Sequence, residues 1–303
     1  MPFLPVAPPQ PVPMLSGFDY VTVDPARRRV YAAHTGSQAL LVVDADSGKV
    51  IAQVRVGPLH GVAVDPRTGH VFTGDGDART VSEVDPVAAT VVRSVDVPEP
   101  VDAIAFDPKS NRIYADEDDG TRIFVIDAAT FKQTGTVMLP GHKPEYLAVD
   151  PESGDVYQNI ADLGEFVVVD GKTLAVKRTV PTTEVGANHP LQYDSAYKTV
   201  VVGGTKGLLL SFDPQGRKLG SAAVQARIDQ CSLDAVAHVL ACAGSGNLTF
   251  VKIAPNGSLA VEGKADVAAG VHTTGFDSRA HRAWIVWNDH ASGDFVQGWN
   301  YTP

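Results

Sequence analysis

The sequence predicts an all-β protein, a seven-bladed β-propeller of four-stranded antiparallel blades forming one domain over residues 1–303, and three observations lead to it. A short segment recurs seven times, as DYVTVDP from 19, HGVAVDP from 60, DAIAFDP from 102, EYLAVDP from 145, HPLQYDS from 189, DQCSLDA from 229 and HTTGFDS from 272. Each unit then carries three further β-rich runs separated by polar turns, the four strands per ~42 residues expected of a propeller blade. Gly 28 and Pro 21 supply turn punctuation throughout, which favours many short strands over long helices.

The elements follow in order. The recurring segment is the innermost strand of its blade, and the run after it (RRVYAAH in unit 1, NRIYADE in unit 3) is the second. The third runs of units 1 to 5 end in Asp44, Asp85, Asp127, Asp170 and Asp213, and runs such as KVIAQVRV close the units as outer strands. The seventh unit has room for three strands after His272. Residues 1–18 precede the first innermost strand and have no blade of their own, so they are expected to close the ring as the outer strand of blade seven. Their prolines suit an outermost edge, where one row of N–H groups faces solvent.

The aspartates before the first turns (Asp24, Asp65, Asp107, Asp150, Asp194, Asp234, Asp277) are read as turn formers, because an Asp there can accept its own backbone N–H groups. Cys231 and Cys242 are the only cysteines. Aligning blade 6 with blade 2 makes them near cross-strand partners, consistent either with a disulfide or with two buried thiols.

Composition narrows the function. With 35 acidic against 25 basic residues and a formal charge of −10, the chain has no basic run to hold a phosphate backbone, so nucleic acid is not expected as a partner. No apolar stretch approaches the ~20 residues of a membrane span, and the proline-rich start lacks the basic region of a signal peptide. A soluble monomer is expected.

One column stands apart. The first residues of the seven segments are Asp19, His60, Asp102, Glu145, His189, Asp229 and His272, all His or acidic. With 9 His and 35 Asp or Glu among 303 residues, seven in a row arise by chance on the order of once in a million. Innermost strands all begin at one face, so these side chains are expected to crowd one mouth of the central channel. The histidines fall in blades 2, 5 and 7, as evenly as three can be spread over seven. His60, His189 and His272 are therefore the expected ligands of a transition-metal dication, zinc, copper or iron, with a position left open. Glu145 and Asp102 are the candidate acid and base. Asp19 and Asp229 would orient the ligands, and His34 and His290, from the loops between second and third strands, would stand behind them or touch substrate. The same loops carry Asp75, Glu117, Asp118 and Lys206. His70, His238 and His281, in the first turns of the opposite face, are read as surface residues. A hydrated polar collar is the alternative reading of the ring.

The wording of the repeats, VYAAHTGSQALLVVDADSGKVIAQVRVG followed by HGVAVDPRTGHVF, resembles the YVTN repeat, and the whole chain is similar to YVTN/YncE-like seven-bladed propellers. The resemblance implies a periplasmic or secreted protein. It does not name a reaction, since propellers host unrelated activities. The arrangement of channel histidines also resembles the copper-bearing propeller of nitrous oxide reductase and the zinc-bearing lyase that cleaves peptidyl-hydroxyglycine. Three functions are expected from this set: a metal-dependent enzyme performing hydrolytic, lyase or redox chemistry on a small-molecule substrate, a non-catalytic module binding a protein partner on the channel face, or a metal-binding protein without turnover. No Gly-rich phosphate loop, nucleophile elbow or HExxH spacing is present.

Overall fold

The computed structural model describes residues 3–13 and 16–302. Seven antiparallel sheets, one per repeat, form seven blades, with innermost strands Val21–Asp24, Leu59–Val64, Val101–Asp107, Pro144–Val149, Asn188–Asp194, Gln230–Asp234 and Thr273–Asp277. The second strand of each blade is covered by neighbouring blades, and all five residues of Val71–Asp75 and of Val156–Ile160 are buried, including the polar Thr73, Asp75, Gln158 and Asn159. Outer strands such as Thr90–Asp96 are largely exposed.

Blade seven contains three strands from the chain's end, Thr273–Asp277, Arg282–Asp289 and Gly293–Asn300. Two short pieces of the N-terminal segment pair with the last of these: Leu4–Pro5 opposite Asn300 and Trp299, and Gln10–Val12 opposite Val296, Phe295 and Asp294. The edge is thus interrupted between residues 5 and 10, where Pro8 and Pro9 offer no N–H for a ladder. Phe3 stacks on Phe250 of blade six at 4.3 Å and ties the segment across the joint. Residues 1, 2, 14 and 15 of the expected closing strand lie outside the described residues.

Every first-turn aspartate accepts the N–H two residues on, as in Arg67 N–H to Asp65 at 2.9 Å and Val236 N–H to Asp234 at 2.9 Å. Cys231 and Cys242 face each other across the first hairpin of blade six and are disulfide-bonded, with Cα atoms 4.0 Å apart.

Candidate functional site at the channel mouth

The seven His and acidic residues open the innermost strands for a local reason. In blades 2 to 5 the pairing of first and second strands shifts by one residue just there: Leu59 pairs with Asp75 and Val62 with Thr73, and the same slip recurs between Val101 and Ile104, Pro144 and Leu147, and Asn188 and Leu191. The extra residue forms a β-bulge that re-aims the side chain beside it. His60, Asp102, Glu145 and His189 occupy these bulges. Gly61 permits the crowding, since a Cβ there would lie 2.6 Å from the Asp102 carbonyl oxygen.

A cavity of 310 Å3 fills the mouth, lined among others by Asp19, Asp102, Asp118, Asp119, Glu145 and Asp229, with His189 and His272. No Lys or Arg is among its lining residues. Tyr20 and Tyr146, from opposite sides of the ring, meet at 5.6 Å between ring centroids and also line it.

The histidines are held by carboxylates more than by one another. His60 Nδ1 is 2.6 Å from Asp19 Oδ2 and 3.8 Å from Asp102 Oδ1. Among the described residues, Asp19, His60 and Asp102 are the one group of three such side chains whose ligand atoms lie within 4.8 Å of one another. His189 Nδ1 stands between Glu145 Oε2 at 3.3 Å and Asp229 Oδ1 at 3.4 Å. His272 faces backbone, with Nδ1 3.0 Å from the Gly270 carbonyl and Nε2 3.0 Å from the Phe18 carbonyl, and a neutral ring donates to one of the two. The expected group of His60, His189 and His272 is thus not what the fold assembles. Each imidazole turns to the nearest acceptor of its own sector.

Electrostatics follow from this crowding. Asp102, only 16% exposed, has its carboxyl held well above the usual carboxylate range, first by burial and then by the charges of Asp19, Asp116, Glu145 and Asp118. Asp116 is fully buried and accepts from Ala103 N–H and Gln158 Nε2, yet burial lifts it well above its usual range too. Burial likewise raises Asp118 and Asp229. The Tyr20 phenol is pushed far up, by burial first and then by Asp102, so it stays protonated and donates to Asp102 Oδ2 at 3.1 Å. The imidazoles move with their partners. The hydrogen bond that His60 donates to Asp19 raises its imidazole, and the one His189 donates to Glu145 raises that ring, in each case against the opposing effect of burial.

Two loop histidines lie elsewhere than expected. His34 is fully buried, stacked on Phe18 at 4.4 Å and hydrogen-bonded through Nε2 to the buried Asp294, so it belongs to the joint between blades 1 and 7 and does not line the mouth cavity. Its strand simply runs one residue further than the loop reading allowed. His290 is exposed in the turn after Arg282–Asp289 and lines a separate cleft with Trp287 and Asp289. Of the other loop residues, Asp118 lines the mouth, whereas Glu117 is turned to Arg122 and Lys206 to the Thr183 carbonyl. Sequence reasoning missed Tyr20, Tyr146 and Asp116. The tyrosines directly follow the His/acid column, which is a usable signal; Asp116 occupies a second-strand position where the other blades have Ala, Gly, Asn or Val.

No family model matches the chain, and no curated protein matches it in sequence. Solved structures do match in shape. The chain is similar to Kuenenia stuttgartiensis hydrazine synthase, with 14% identity and a TM-score of 0.79 over 93% of this chain and 95% of that one. It is also similar to the RRP9 WD40 repeats, with 10% identity and a TM-score of 0.83 over 99% of each chain, and to U3-55K, with 10% identity and a TM-score of 0.82 over 97% and 98%. At such identities the likeness defines the class by fold alone: a seven-bladed β-propeller.

Proposed function

We propose that the channel mouth binds one divalent transition-metal ion through Asp19, His60 and Asp102, and that the protein uses it on a small molecule held in the mouth. One observation carries this reading: six carboxylates line a 310 Å3 cavity with no Lys or Arg among the lining residues. A dication is the counterion that relieves such a set, and an imidazole with two carboxylates suits zinc or iron better than calcium or magnesium. Such an ion supplies polarisation of a substrate oxygen or activation of water. Glu145 is assigned proton transfer, with His189 between it and Asp229 as the group that shares and returns the proton. Tyr20 fixes Asp102 by its hydrogen bond, and with Tyr146 it narrows the channel beside the cavity.

The Cys231–Cys242 bond supports work in an oxidising compartment, periplasmic or secreted. The wording of repeats 1 to 4 supports kinship with YVTN/YncE-like propellers, and the net charge of −10 supports a monomer without nucleic-acid partners.

Elemental analysis of protein purified without chelator tests the site, with about one metal per chain expected. His60→Ala and Asp102→Asn should each remove most of it, and His272→Ala should keep it. Equal loss from His60→Ala, His189→Ala and His272→Ala would restore the three-imidazole arrangement in its place. A wild-type chain that takes up no zinc, iron or copper would overturn the metal reading altogether.

A further inference from the structure

The gaps between blades are filled unevenly, and two columns of side chains differ from gap to gap. Seven residues after each first-turn Asp, blades 1 to 4 carry Tyr31, Phe72, Tyr114 and Tyr157; one residue before that Asp, the following blade offers Val64, Phe106, Val149 and Tyr193. Ring meets ring in two gaps, Phe72 with Phe106 at 5.0 Å and Tyr157 with Tyr193 at 4.9 Å. In the other two the ring's counterpart is a valine; a cavity of 610 Å3 is lined by residues of blades 1 and 2 and one of 580 Å3 by residues of blades 3 and 4, neither of them lined by the valine. The larger opens on the face opposite the channel mouth, at the first-turn residues Thr68–His70.

Tyr31 lines this larger cavity. Its side chain is fully buried, yet its hydroxyl has no hydrogen-bond partner. The equivalent hydroxyls of Tyr114 and Tyr157 also lack a partner, but Tyr31 belongs to the lining of a cavity, where an acceptor can complete it. Burial pushes the phenol up to about 12, which keeps it a donor throughout the physiological range. Arg29 lies beside it with only Nη1 engaged, by Asp44 Oδ2 and the Arg28 carbonyl, leaving the rest of its donor fork for a planar anion. Ile51 and Val87 add exposed aliphatic surface to the lining. Asp85 also belongs to the lining, its carboxyl held below its usual range by the N–H groups of Ala88 and Val87, so that it stays ionised. A second acidic group on the ligand would meet that charge.

We propose that the gap between blades 1 and 2 is a binding site for a small monocarboxylic acid with an aliphatic body, its carboxylate on Tyr31 Oη and Arg29 and its chain against Ile51 and Val87. The volume lies within the range of ligand pockets, about 300 to 1,000 Å3. This site is separate from the channel mouth and does not depend on the metal reading.

The test uses the full chain and 4-methylpentanoate as probe, followed by calorimetry or saturation-transfer NMR, with 4-methylpentanamide as the neutral isostere and 3-methylglutarate as the diacid. Saturable binding of the monoacid is expected, with the amide and the diacid each weaker by about tenfold or more. Tyr31→Phe should weaken the monoacid about tenfold while melting at or above the wild-type temperature, because the lost hydroxyl had no partner. Val87→Asp, at an exposed position that leaves folding intact, should abolish binding, and Asp102→Asn should leave it unchanged. Acid and amide binding alike, Tyr31→Phe binding as well as wild type, or no saturable binding of the monoacid in the millimolar range would each overturn the proposal; in the last case the hydroxyl serves only ordered water.

Discussion

The two faces of the disc use the same residue types and reach opposite electrostatic results. On the face away from the channel mouth, basic groups reach carboxylates of the neighbouring blade: His238 Nδ1 to Asp194 at 2.7 Å, His281 Nδ1 to Asp234 at 2.6 Å, and Arg28, which also holds Asp46, to Asp277. At the mouth, carboxylates outnumber their imidazole partners and burial holds Asp102 and Asp116 well above their usual range. The difference lies in backbone geometry. Arg28, His238 and His281 each sit four residues after a first-turn Asp with φ of 57°, 53° and 49°, a left-handed conformation that swings the side chain back to the preceding blade. These histidines are therefore latches between blades and not free surface residues. Gly69 holds the same left-handed position in blade 2, so His70 falls one place later and pairs within its own blade, with Glu83 at 2.6 Å. One face matches its charges between blades; the other leaves carboxylates in excess of basic groups among its lining residues.

The sharpest way to break the comparison is at a latch acceptor. Asp234 is fully buried, caps Val236 N–H and Ala237 N–H, and receives His281 from the next blade. Asp234→Ala should cost about 3 kcal/mol by chemical denaturation, since it strands two backbone donors and one imidazole together. A loss below about 1 kcal/mol would show that the latch is ornamental.

At the mouth the sign reverses. A carboxyl held above its unfolded value keeps its proton in the native state at pH values where the unfolded chain has lost it, so stability falls as pH rises through that interval. The raised imidazoles of His60 and His189 act in the same direction, because their contribution is complete below about pH 6.5 and is lost as pH climbs through their folded values. Chelated protein should therefore lose melting temperature steadily from about pH 5 to pH 9. Asp102→Asn should flatten that slope and stabilise chelated protein by about 1 kcal/mol near pH 8, while weakening the metal. A variant less stable than wild type at pH 8 would mean that Asp102 is satisfied as it stands.

The smallest effect sharpens the geometric argument. His281→Ala should cost about 1.5 kcal/mol, having lost the pair to a buried carboxylate while retaining a left-handed backbone. His281→Gly loses the same pair but relieves the backbone, and its melting temperature should lie close to wild type. Equal losses in the two variants would remove backbone conformation from the account of the latches.

The sequence by itself determined the seven blades, the outer position of the N-terminal segment, the cross-strand placing of Cys231 and Cys242 and the gathering of seven His and acidic residues at one mouth. All of these depend on periodicity, and a repeat of ~42 residues translates directly into equivalent positions around a ring. Tertiary structure alone decided which of those equivalent residues touch. The even spread of His60, His189 and His272 is a property of the list, whereas each ring turns toward whichever acceptor its own bulge and neighbouring blade bring within about 3 Å. The same holds for Tyr31 and Phe72, equivalent in the repeat: one lines a cavity between blades and the other meets a phenylalanine at 5.0 Å. Contacts between blades pair different columns of different repeats, and side-chain size and backbone φ, residue by residue, settle them.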